Sequence, residues 1–130
     1  MIAVTLDTGA LIAMEKNKAR AMMLLRAARE QRAELFVTTP VIAEWWRGRT
    51  DRREDIRRAV TVVAFPLPAA EAAGMVLGQI RDTRERVKLA IDVMVMAFAA
   101  LQGGALVYTT DAADLARIQP YFPAVRISSL

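Results

Sequence analysis

Neither cysteine nor histidine occurs anywhere in the 130 residues. Without cysteine there are no disulfides, no thiolate nucleophile and no sulfur-ligated metal. Without histidine there is no imidazole acid–base chemistry, no Ser-His-Asp arrangement and no histidine-bound zinc. Any metal must therefore be a hard cation held by oxygen. Long hydrophobic runs are missing too: none approaches the ~20 residues that cross a bilayer. The chain opens on a strand-like pattern rather than a basic leader with a small-residue cleavage site, so the expected compartment is the cytoplasm, with no membrane partner. Internal repeats and low-complexity segments are absent.

What is present is apolar and basic. Hydrophobic residues make up 55% of the chain, enough to build a core without staples, and one domain over residues 1–130 is expected. The formal net charge of +4 suits a polyanion such as nucleic acid without specifying one.

Short apolar runs alternate with amphipathic stretches. Strands are expected at IAVTL (2–6), ELFVT (34–38), VTVVAF (60–65), ALVYT (105–109) and AVRIS (124–128). Helices are expected at 8–16, 18–32, 40–48 with Pro40 in the first turn, 51–59, 69–85, 87–102 ended by Gly103 and Gly104, and 111–119. Strands that read as continuous apolar runs between helices predict a mainly parallel sheet of four to five strands, covered on both faces. Such sheets bind ligands at the carboxyl ends of their strands, near the point where strand order reverses.

Four acids sit in or beside apolar sequence. Asp7 follows the first strand, Glu44 lies inside PVIAEWW, Asp92 inside LAIDVMVMAFAAL, and Asp111 follows LVYTT. An ionised carboxylate is costly to bury without a partner, a proton or a metal. Each has a plain alternative: Asp7 and Asp111 as helix N-caps, Glu44 paired with Arg47, Asp92 paired with Lys88. Those alternatives do not explain the apolar surroundings of Glu44 and Asp92. Taken together, the four would form a dense negative pocket that a divalent cation with oxygen ligands relieves.

The ordered segments VTLDTGALIA, TTPVIAEWWRG, AIDVMVMAFA and LVYTTDAADL resemble a PIN-domain ribonuclease, specifically a VapC-type toxin of type II toxin–antitoxin pairs, over essentially the whole chain. The resemblance implies a PIN-like three-layer α/β/α domain and a Mg2+- or Mn2+-dependent endoribonuclease. It implies metal-activated water attacking phosphorus in line, with Asp7, Asp92 and Asp111 as main ligands. Glu44 would bind a second ion or orient the water. Thr8, and Thr109 or Thr110, match hydroxyl residues beside the acids, and Asp114 either joins the site or orients it. A VapB-type antitoxin and a homodimer are further implications. Two residues depart from the pattern: Gly9 stands where serine or asparagine is also common, and Leu115 replaces a frequent phenylalanine.

Arginines crowd the segment after Glu44. Arg47 and Arg49, nearest the glutamate, are the candidate RNA contacts, while residues 51–58 read as a solvated, internally paired helix face. Trp45 and Trp46 point about 100° apart on a helix, so one belongs to the core and the other is free to line a groove for a partner helix. Met22, Met23, Met94 and Met96 read as core filler or a dimer face. A rival reading is a non-catalytic RNA- or protein-binding module of the same fold. A haloacid dehalogenase-type phosphotransferase is disfavoured because Gly9 occupies the position of its second acid. A flap-type nuclease would need a longer chain.

Overall fold

The computed structural model describes residues 1–47, 52–101 and 105–130. Its centre is a five-stranded sheet in which every neighbouring pair is parallel. The strands are β1 (Ile2–Leu6), β2 (Ala33–Thr38), β3 (Thr61–Val63), β4 (Leu106–Thr109) and β5 (Arg126–Ser129), and they lie in the order β3-β2-β1-β4-β5. The central strand β1 buries Val4, Thr5 and Leu6, which is why it reads as an apolar run and not as an alternation. From β1 the chain builds outward to β2 and β3, then returns to place β4 and β5 on the other side. The order therefore reverses between β1 and β4.

The helices are α1 (Thr8–Glu15), α2 (Ala19–Arg29), α3 (Thr39–Trp46), α4 (Arg53–Ala59), α5 (Leu67–Gln79), α6 (Thr83–Leu101) and α7 (Ala112–Ile118), with a 3-10 turn at Gln119–Tyr121. The Phe36 and Phe98 rings meet edge to face at 6.1 Å, which puts α6 on the face carrying Thr5, Phe36 and Val107. On the other face Tyr108 shares a groove with Met23, Leu24 and Ala27 of α2. Helices α1, α2 and α4 touch one another, α6 touches α5 and α7, and α3 touches both α1 and α6. The result is a three-layer α/β/α arrangement. No helix among the described residues is long and apolar enough to cross a membrane.

Several element boundaries differ from the sequence reading. The helix expected over 18–32 ends at Arg29, because Gln31 takes a left-handed conformation, φ 60°. The helix expected over 69–85 stops at Gln79, and α6 begins at Thr83 rather than 87. Asp82 starts it: its Oδ1 accepts from the Glu85 N–H at 3.0 Å and its carbonyl accepts from the Arg86 N–H at 2.9 Å. The Arg86 guanidinium also donates to the Ile80 carbonyl, at 3.0 and 2.9 Å, satisfying the break. β3 is shorter than expected, and β5 lies two residues later at its start. The expected helix ends at Gly48 and at Gly103–Gly104 lie outside the described residues.

Candidate active site

Asp7 is the first residue past β1 and caps α1. Its backbone is extended, φ −93° and ψ −179°, and its Oδ1 accepts from the Ala10 N–H at 2.8 Å. Its Oδ2 accepts from the Thr109 hydroxyl, at the end of β4, at 2.5 Å. That hydroxyl accepts in turn from the Asp111 N–H at 2.9 Å, and Asp111 Oδ1 accepts from the Asp114 N–H at 3.3 Å, capping α7. A relay of hydrogen bonds thus joins the ends of β1 and β4 across the point where strand order reverses, where parallel α/β sheets hold ligands. The capping role of Asp7 leaves it available for more, since a carboxylate has about four lone-pair positions and cap and threonine take two.

Glu44 reaches the same place from α3. Its Oε1 accepts from the hydroxyl of Thr8, the neighbour of Asp7, at 2.5 Å. This contact stands in place of the alternative pairing with Arg47, which is exposed at the C-cap of α3. Asp92 comes from α6. The alternative pairing with Lys88 is not made either, because Lys88 faces Asp114, with Nζ 3.7 Å from Oδ1. Asp92 is pushed from the ordinary 3.8 up to about 7, by burial first and then by the charges of Asp7, Asp114, Glu44 and Asp111. Asp7 is raised as well, by burial foremost. The hydrogen bonds from Thr109 and Ala10 oppose that shift, and Asp111 and Glu44 add to it. Five acids from four separate segments therefore share one electrostatic environment.

The donor set fits a hard divalent cation. It is all oxygen, and its carboxylates drive one another toward protonation, a repulsion that a cation relieves. Among the described residues, however, no three acidic side chains lie so that they could hold a metal ion together, so the fit is one of donor chemistry alone. A further polar atom is Thr38 Oγ1 at the end of β2, 1% exposed and without a hydrogen-bond partner. Carrying the β1–β2 register two residues further sets Thr38 beside Asp7. The sequence reading did not single it out, although a threonine closing an apolar strand, as Thr109 also does, was the available signal.

The Gly9 departure has a steric reason. A Cβ at Gly9 would run into Thr110 Oγ1, so the Thr110 hydroxyl occupies the space of a side chain there. Leu115 is fully buried. Of the two tryptophans, Trp45 is core, 2% exposed, with Nε1 donating to Glu15 Oε1 at 2.5 Å. Trp46 is half-buried beneath the Arg53 guanidinium, 4.4 Å from the ring centroid. Arg52 and Arg53 are engaged with backbone carbonyls, of Met14 at 2.8 Å and of Trp46 at 2.7 Å, and Arg57 pairs with Glu54 at 2.8 Å. The expected pairing within the segment holds for Arg57, whereas Arg52 and Arg53 reach out of it to α1 and α3. Arg49 lies outside the described residues. Met96 is buried, Met22 and Met94 are partly buried against the core, and Met23 is exposed.

A chain of the crystal structure of VapBC2 from Rickettsia felis bound to a DNA fragment from their promoter superposes on this fold with a TM-score of 0.65. The likeness covers 100% of this chain and 99% of that one at 15% identity, and so speaks for the fold alone. Among curated proteins the sequence finds no match. The pattern of the PIN domain family matches residues 4–119, from within β1 to just past α7 and so through every segment that delivers an acid. The chain belongs to the PIN domain family.

Proposed function

We propose that the chain is the toxin of a type II toxin–antitoxin pair, of VapC type, and a Mg2+- or Mn2+-dependent endoribonuclease. The observation that carries this reading is the hydrogen-bond relay that joins Asp7, Thr109, Asp111 and Asp114 at the reversal point, with Glu44 tied to the neighbouring Thr8 and Asp92 raised by burial and by the charges of these acids. The PIN membership and the likeness to a VapBC2 structure support it.

When bound, a divalent ion supplies Lewis acidity, which activates water near neutral pH and offsets charge on the phosphate. Asp7, Asp92 and Asp111 would hold it. Thr109 fixes one face of Asp7 and, through the Asp111 N–H, sets the position of Asp111. Glu44, which accepts from the Thr8 hydroxyl, would orient the attacking water or hold a second ion. Attack in line on phosphorus expels the 3′-oxygen of the RNA strand. Arg47 and Arg49 would contact the RNA backbone. The half-buried Trp46 offers an apolar surface to a VapB-type antitoxin, and the protein would act as a homodimer in the cytoplasm.

The test is cleavage of total RNA by the purified protein in Mg2+, in Mn2+ and in EDTA, with Asp7→Asn and Asp92→Asn alongside. The expected result is cutting that needs a metal and that both substitutions abolish. Cutting that survives EDTA and both substitutions would sink the proposal. Binding of RNA with no cutting under any condition would favour the non-catalytic module instead.

A further inference from the structure

A phosphodiester strand entering this site meets five carboxylates. A bound cation offsets the repulsion at one phosphate, and the flanking phosphates need positive partners of their own. Among the described residues, the ion pairs that involve these acids are those of Asp114 with Lys88 and with Arg117. Lys88 precedes Asp92 by one turn of α6, the spacing that sets two side chains on one helix face. Its Nζ lies 3.7 Å from Asp114 Oδ1, and Arg117 Nη1 lies 3.9 Å from the same oxygen. Both separations exceed hydrogen-bond length, so charge alone holds the contacts and the Lys88 donors are not committed. The Lys88 side chain is 59% exposed, and an exposed pair of this kind costs little to open. Arg117 differs, since it is also tied to Glu85 of α6.

We propose that Lys88 is the cation that binds the RNA backbone on the α6–α7 side of the site, resting on Asp114 until a phosphate takes its place. Asp114 is then a positioning residue. It faces two cations at nearly equal distance, so handing Lys88 to a phosphate leaves it still paired with the anchored Arg117. The placement rests on the nuclease reading above, but its test does not require cleavage. The probe is a fluorescein-labelled, mixed-sequence, single-stranded RNA, with its binding followed by anisotropy in EDTA across a salt series. Lys88→Ala should weaken binding roughly 3- to 10-fold and lower the log–log salt slope by about 0.7, the share of one phosphate contact on a single strand. Lys88→Arg should retain both. In Mn2+ the loss should appear in KM, with kcat near that of wild type and Tm unchanged. Wild-type binding and salt slope in Lys88→Ala would overturn the inference. A wild-type protein that binds the probe but cuts it with neither metal overturns the nuclease reading, while the binding comparison still decides the role of Lys88. A wild-type protein that neither binds nor cuts overturns both.

Discussion

Asp92 is the residue whose surroundings contradict its ionised state most. It sits on α6 between the buried Leu89 and Val93 and is raised from 3.8 to about 7 by burial and by four other carboxylates. The consequence for stability has a definite sign. Between those two values the unfolded chain carries an ionised Asp92 while the folded protein keeps the proton, so stability falls as pH rises across that window. In EDTA, Asp92→Asn should therefore melt increasingly above wild type as pH climbs from 4 to 8, with the difference smallest at the acid end. Thermal denaturation over that range checks it, and a difference in Tm independent of pH would show that Asp92 does not carry the strain. Mg2+ or Mn2+ should stabilise wild type most where the difference is largest, because the ion favours the ionised carboxylate. Asp7 shows why single residues were ambiguous in the sequence. The helix-cap reading holds, since one oxygen caps α1, and it leaves the other oxygen, which takes Thr109, free of the cap, so the cap does not compete with the proposed role in the site.

At the scale of elements, the inner strands β1, β2 and β4 were legible because their burial makes them read as apolar runs, while the more exposed edge strands β3 and β5 are the ones whose bounds shifted most. The two helices α5 and α6 were harder to separate. Ile80–Asp82 contains neither glycine nor proline, and hydrophobic periodicity runs past the break. The usable signal was Asp82 three residues before Glu85, an N-cap pattern. The contacts that build the site were not legible, because they join distant segments: Thr8 to Glu44, Thr109 to Asp7, Lys88 to Asp114. Local i,i+3 and i,i+4 pairings were plausible for Glu44 and Asp92 without explaining their apolar surroundings, and the fold uses neither. Helices α1 and α3, which deliver Thr8 and Glu44, are locked by Trp45. Trp45→Ala should cost about 3–5 kcal/mol, as for a large buried aromatic, with the indole bond to Glu15 lost in addition. Trp46→Ala should cost about 1 kcal/mol from its contact with Arg53, plus the loss of its partly buried area. Denaturant unfolding separates the two, and equal costs would contradict the assignment of Trp45 to the core.

Across the whole molecule, a chain with net charge +4 gathers five acids at one end of its sheet. The topology does this by reversing strand order between β1 and β4, so the two strands followed by Asp7 and Asp111 become neighbours. Helices α3 and α6 then bring Glu44 and Asp92 to that edge. A fold that concentrates like charge in this way, against its own stability, is explained if an ion completes it. The measurement that tests this most directly is a calorimetric titration of Mn2+ into wild type and into Asp92→Asn at neutral pH, with Tm recorded for both. Binding by wild type that raises its Tm, and loss of that binding in a folded Asp92→Asn protein, is the predicted result. Equal binding by the two proteins, or none by either, would contradict the claim that these acids converge to hold a metal.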